Sequence, residues 1–212
     1  MLDKIINNFC FNRSLYIIAV VVLGIGVIND LKDKDKIEIK EYLNHKTINI
    51  NRLLKYLFLS FIVRIILEQA IIYIQVPTTD VQVPSTILEI FFEFLATCIF
   101  APIFEEIIFR FGLYKIINKK FNVLISILVT SIIFAVIHNY NIDGFIILLG
   151  ISLIWHYSFY KTNNLIYPML LHFFHNIYAL INNVFNYNKY WFILLFINIL
   201  GIGILAIEKQ KN

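Results

Sequence analysis

Charge is scarce in this chain of 212 residues: only 15% are Asp, Glu, Lys or Arg, against 59% hydrophobic, and the mean hydropathy is +0.76. Soluble domains carry roughly 25% charge. The composition is that of an integral membrane protein, with no polar stretch long enough to stand as a soluble domain. Cysteine is nearly absent too. Cys10 and Cys98 are far apart and make no C-x-x-C pair, which excludes a disulfide framework and a cysteine-based metal or redox site. No period-two alternation suggests a membrane barrel. No repeat recurs at a fixed period, and no His-Glu-x-x-His zinc motif occurs. The net charge of +4 says little by itself, and no nucleic-acid partner is expected.

What is present is a series of apolar segments at about 14–29, 53–76, 86–118, 121–138, 144–160, 165–185 and 190–207. Several approach the ~20 residues that cross a ~30 Å hydrocarbon core. Backbone polar groups in lipid must be satisfied internally, so all are expected to be helices. The expected fold is all-α, a polytopic transmembrane bundle of about seven spans with eight as the alternative, forming one integral membrane domain over 1–212. Lys4 and Arg13 precede the first run, but no small-residue cleavage site follows it, so it reads as a retained span. The one long polar stretch, 30–52, reads as a solvated loop. Segment 86–118 is the ambiguous one. Pro102 is expected to break or kink it, giving one crossing or two. A single crossing puts 14 Lys and Arg on the side of loop 30–52 and 3 on the other, whereas two crossings split them about evenly. The positive-inside bias therefore favours one crossing, with the N-terminus outside and the C-terminus in the cytoplasm, and the heavy use of Ile, Asn and Lys points to a bacterial plasma membrane. Residues 86–101 are then expected partly along the outer interface, with Glu89 and Glu93 facing water.

Ionisable residues inside such segments are costly and usually functional. Three groups stand out: Glu105-Glu106-x-x-x-Arg110, Phe134-x-x-x-His138 and His172-x-x-x-Asn176. Counted from a turn at Lys119-Lys120, Glu105 and His138 lie about 22 and 27 Å up an antiparallel hairpin, so they come level. His172 and Asn176 share a helix face but lie only about 12 and 18 Å above the 161–164 loop, unless Pro168 starts its helix deeper and 161–167 is irregular chain. Glu106 and Arg110 are spaced for an intrahelical ion pair. Glu105, about 100° around the helix, is left free. A carboxylate beside an imidazole can hold and deprotonate a water, and an imidazole and an amide four residues apart can donate to one oxygen, as an oxyanion requires. Together these are the parts for amide hydrolysis.

The same stretches resemble the CAAX-protease and bacteriocin-processing family of intramembrane endopeptidases. They are Ala101-Pro-Ile-Phe-Glu-Glu-Ile-Ile-Phe-Arg-Phe-Gly112, Phe134-Ala-Val-Ile-His138 and Asn164-Leu-Ile-Tyr-Pro-Met-Leu-Leu-His-Phe-Phe-His-Asn176, so the catalytic helices fall within 101–176. The resemblance implies an endopeptidase that cleaves a membrane-presented peptide or a prenylated protein tail. Glu105 and His138 would activate the water, His172 and Asn176 would stabilise the oxyanion, and Glu106 and Arg110 would support the site. Phe111 intervenes where the family often has Gly directly after Arg, and the short stretch between the second and third motifs suggests a reduced cavity. Glu105, His138 and His172 also make a three-ligand set with an open position, which would suit zinc; a metal-free, glutamate-dependent reaction is the preferred expectation.

Two other classes compete. A proton-coupled transporter would also use intramembrane Glu, His and Arg, but the chain shows no repeated halves or paired broken helices. A non-catalytic immunity or scaffold protein could keep the same residues for packing. Among the remaining residues, Arg64 and Glu68 read as an i,i+4 ion pair, with a substrate carboxylate as the alternative contact for Arg64. His175 reads as structural, His156 as an interface anchor and His45 as solvated.

Overall fold

The computed structural model describes residues 2–76 and 83–185. Six helices follow in order: α1 (Leu2–Asp35), α2 (Ile50–Tyr73), α3 (Ile87–Asn118), α4 (Val123–Ile137), α5 (Ile142–Thr162) and α6 (Ile166–Phe185). Two short 3-10 turns, Ile39–Tyr42 and His45–Thr47, join α1 to α2, and no strand occurs among the described residues. The protein is an all-α membrane bundle. By length and composition, helices spanning Asn8–Asp35, Ile50–Tyr73, Ile87–Asn118 and Ile142–Thr162 can cross a bilayer, and Val123–Ile137 is a shorter apolar helix. His172, His175, Asn176, Asn182 and Asn183 dilute the apolar content of α6, which falls outside that group. The seventh expected segment, 190–207, lies outside the described residues.

Asparagine and threonine start most of these helices by accepting a hydrogen bond from an otherwise orphan backbone N–H. Asn49 accepts from Arg52 at the head of α2, and Asn122 accepts from Ile125 at the head of α4. Thr86 and Glu89 form a capping box at the head of α3. At the far end of α5, Asn163 takes the left-handed conformation (φ 49°) that closes the helix.

Helix α5 packs against α2, α4 and α6, and α6 packs against α3. The larger buried cluster gathers Phe61, Phe109, Phe134, Trp155, Leu171 and Tyr178 from five helices. Around it the chain is inside out by the standard of soluble proteins: Val22, Ile66, Leu124 and Val136 are each more than half exposed. Large apolar side chains on the perimeter are what lipid requires.

Four expectations need correcting. Pro102 does not break the third segment, which is one continuous helix of 32 residues. Within it, the stretches Phe94–Phe100 and Ile107–Leu113 are π-helical. A proline has no N–H for the preceding turn and its ring crowds that turn's carbonyl; the wider π turn just before Pro102 absorbs both. Second, the stretch 30–52 is not wholly loop, because α1 runs on to Asp35. Third, Glu89 and Glu93 are not solvated on an outer interface. Glu89 is 2% exposed and folded back onto Ser85 and Thr86, and Glu93 pairs with Arg13 of α1. Fourth, the chain between α5 and α6 is irregular only over 163–165. Two of its residues are buried: Asn164 donates to the Asn44 carbonyl at 2.7 Å and Leu165 N–H to the Tyr42 carbonyl at 2.8 Å. The segment that follows α1 thus covers the turn and seats α6 deeper than a surface loop would.

Candidate active site

Helix α3 places two adjacent carboxylates on different faces. Glu106 and Arg110 are both fully buried, one helical turn apart, with Arg110 Nε 2.9 Å from Glu106 Oε2. The guanidinium also donates to Ser152 Oγ at 2.9 Å and lies 4.4 Å from the centre of the Phe134 ring. Desolvating such a pair is costly unless further polar and cation–π contacts offset the loss of water. Ser152 and Phe134 supply them.

The pair does more than neutralise itself. Glu106 Oε1 lies 2.9 Å from His172 Nδ1 on α6. A carboxylate is an acceptor, so His172 donates its Nδ1–H there and turns Nε2 the other way. Trp155 holds the ring flat from one side, with stacked centroids 4.5 Å apart, and the Phe134 ring meets it edge-on at 5.9 Å. His138, at the end of α4, is fixed in the same sense. Its Nδ1 donates to the Phe134 carbonyl at 2.6 Å, leaving Nε2 to face inward. The Phe-x-x-x-His spacing therefore has a physical meaning: the residue one turn earlier supplies the carbonyl that sets the tautomer.

Both Nε2 atoms point at Glu105. Its Oε2 lies 3.7 Å from His138 Nε2 and 4.0 Å from His172 Nε2, and has no hydrogen-bond partner among the described residues. These separations are too long for direct hydrogen bonds and suit a shared water. Glu105 is not free, however. Its Oε1 accepts a hydrogen bond from the phenol of Tyr16 on α1. Asn176, one turn beyond His172, donates through Nδ2 to the Thr97 carbonyl at 2.6 Å, inside the first π-helical stretch. That bond uses one of its two amide hydrogens.

These groups line a cavity of about 580 Å³, whose wall also includes Arg13, Arg64, Glu93, Tyr140 and Trp155. Ligand pockets commonly occupy roughly 300–1,000 Å³, so there is room for a short peptide segment. Two imidazoles with Nδ1 held by an acceptor are also built as metal ligands usually are. Even so, no group of three His, Cys, Asp or Glu among the described residues has the geometry to hold a metal ion.

Arg64 forms its expected ion pair with Glu68 at 2.9 Å. His175 is buried away from Glu105, with Nε2 3.0 Å from Ser60 Oγ and its ring stacked on Phe61 at 4.1 Å. His156 is not an interface anchor: it is fully buried against the Tyr114 ring, 4.6 Å between centroids. Sequence reasoning missed Tyr16, Thr97 and Ser152. A lone hydroxyl, or the main-chain carbonyl that Thr97 supplies, carries no periodic signal in an apolar run, and only the packing of α1 on α3 shows that Tyr16 meets a carboxylate.

A family model described as Type II CAAX prenyl endopeptidase Rce1-like matches residues 87–178, which contain all three motifs. No curated protein and no solved structure matches the chain.

Proposed function

We propose, from the match of residues 87–178 to the Rce1-like type II CAAX prenyl endopeptidase family model, that the chain is an intramembrane endopeptidase that hydrolyses a peptide bond with a Glu105-activated water. The supporting observation is the convergence of Glu105 Oε2 with two imidazole Nε2 atoms, 3.7 and 4.0 Å away, on the wall of a cavity of about 580 Å³. A water there donates one hydrogen to Glu105 and the other to the lone pair on His138 Nε2. As its oxygen bonds to the scissile carbonyl carbon, Glu105 takes the proton and the carbonyl oxygen becomes an oxyanion. His172 and the second amide hydrogen of Asn176 donate to that oxygen. In this role His172 carries hydrogens on both nitrogens, Nδ1–H to Glu106 and Nε2–H to the oxyanion. Collapse breaks the C–N bond, and Glu105 returns its proton to the leaving nitrogen.

The substrate is a membrane-presented peptide or a prenylated protein tail. Glu106 and Arg110 support the site by orienting His172, and the whole chain works as one domain in the plasma membrane. The test is mass spectrometry of membrane peptides from cells carrying the wild type, Glu105→Gln or His138→Ala at equal protein levels. A product made only by the wild type supports the reading. An identical peptide set in all three would leave a scaffold or immunity role, and altered ion flux without a peptide product would indicate a transporter.

A further inference from the structure

Helix α1 lies outside the segment that matches the family, yet it runs parallel to α3 along its whole length. Arg13 pairs with Glu93 near one end, and Lys119 Nζ lies 2.6 Å from Asp35 at the other. Between them, two glycines allow close approach. A Cβ on Gly24 would stand 2.5 Å from the Phe104 ring, and a Cβ on Gly112 would stand 2.6 Å from Val27. This packing fixes the register of α1, and the register puts the Tyr16 phenol on Glu105 Oε1.

A carboxylate offers two nearly equivalent oxygens and can rotate to exchange them. Pinning Oε1 fixes the rotation and leaves Oε2 as the oxygen that faces His138 and His172. We infer that Tyr16 is a positioning residue for Glu105: its phenol holds the carboxylate in the orientation that presents Oε2 to the water. The inference rests on the reading of Glu105 as the water-activating group. It adds that the reaction centre is incomplete without α1, whose contribution comes from this chain's own N-terminal helix.

The test compares wild type, Tyr16→Phe and Glu105→Gln in lipid nanodiscs, using a peptide that the wild type cleaves. Tyr16→Phe keeps the ring and its packing and removes only the oxygen. Losing a hydrogen bond to a charged group should lower kcat about tenfold to a hundredfold, with KM unchanged. A residue that mattered only for packing would lower the melting temperature without this split. The second readout needs no turnover. In the infrared carboxylate region, the difference between wild type and Tyr16→Phe should contain a band that disappears when both proteins also carry Glu105→Gln. An unchanged kcat together with an unmoved carboxylate band overturns the inference. If Glu105→Gln cleaves as well as the wild type, the endopeptidase reading fails, while the infrared band still decides whether Tyr16 holds Glu105.

Discussion

Adjacent residues on a helix point about 100° apart, so Glu105 and Glu106 can do different work although they share a backbone. Glu106 faces Arg110 and His172 in a fully buried setting, whereas Glu105 faces the cavity. Equivalent substitutions should therefore fail in different ways. In the proposed reaction Glu105→Gln keeps the shape of the side chain and loses the base, so cleavage should drop by about 10²–10⁴-fold while thermal stability stays near that of the wild type. Arg110→Ala leaves the Glu106 charge buried without its partner, at a cost of about 3–5 kcal/mol. It should show first as a lower melting temperature and reduced accumulation in the membrane. Asn176→Ala tests the oxyanion role. A lost donor of that kind costs about 10²–10³ in kcat, measurable as product formation at saturating peptide, with little change in KM.

At the scale of helices, contact between α1 and α3 depends on a residue with no side chain. Gly112→Ala would drive its Cβ into Val27, a β-branched residue with little freedom to turn away. Overpacking of this kind typically costs about 1–3 kcal/mol. Adding Val27→Ala should restore the melting temperature, and a double variant no more stable than Gly112→Ala would show that the contact is not what matters. Gly150 gives the contrast. Its added Cβ would meet the tip of Leu67, 2.5 Å away, which can change rotamer, so Gly150→Ala should be nearly neutral in the same assay. The presence of six of these helices could be read from apolar length alone, because lipid leaves the backbone no other choice. Their ends were less legible. Asp35 continues α1 through charged residues that hydropathy assigns to a loop, and Pro102 sits inside a helix because a π turn relieves it. The level of Glu105 with His138 is legible as spacing along two helices, whereas spacing alone leaves His172 too shallow, and only the short turn before α6 brings it to Glu105. Tyr16 is not legible, since its partner lies 89 residues away.

At the scale of the molecule, the question is which side of the membrane the cavity serves. Helices α1 and α3 are parallel, so their first halves lie at one face and their last turns at the other. Arg13 and Glu93, from the first half of each, line the cavity together with Tyr140, which follows α4. The opposite ends carry Lys32 and Lys34 on α1, and Lys115 and Lys119–Lys120 at the end of α3. If the basic ends stay in the cytoplasm, as charge bias directs, the cavity lies toward the outer half of the bilayer and substrate enters from that side. Orientation is checked with single exposed cysteines in a Cys10→Ser, Cys98→Ala background. Val83→Cys should react with a membrane-impermeant maleimide on intact cells, and Lys120→Cys only after the membrane is opened. Both positions are exposed, so protein packing would not mask either label. The reverse pattern would turn the cavity toward the cytoplasm. Substrates would then be tails presented from within the cell, in place of peptides delivered at the outer leaflet.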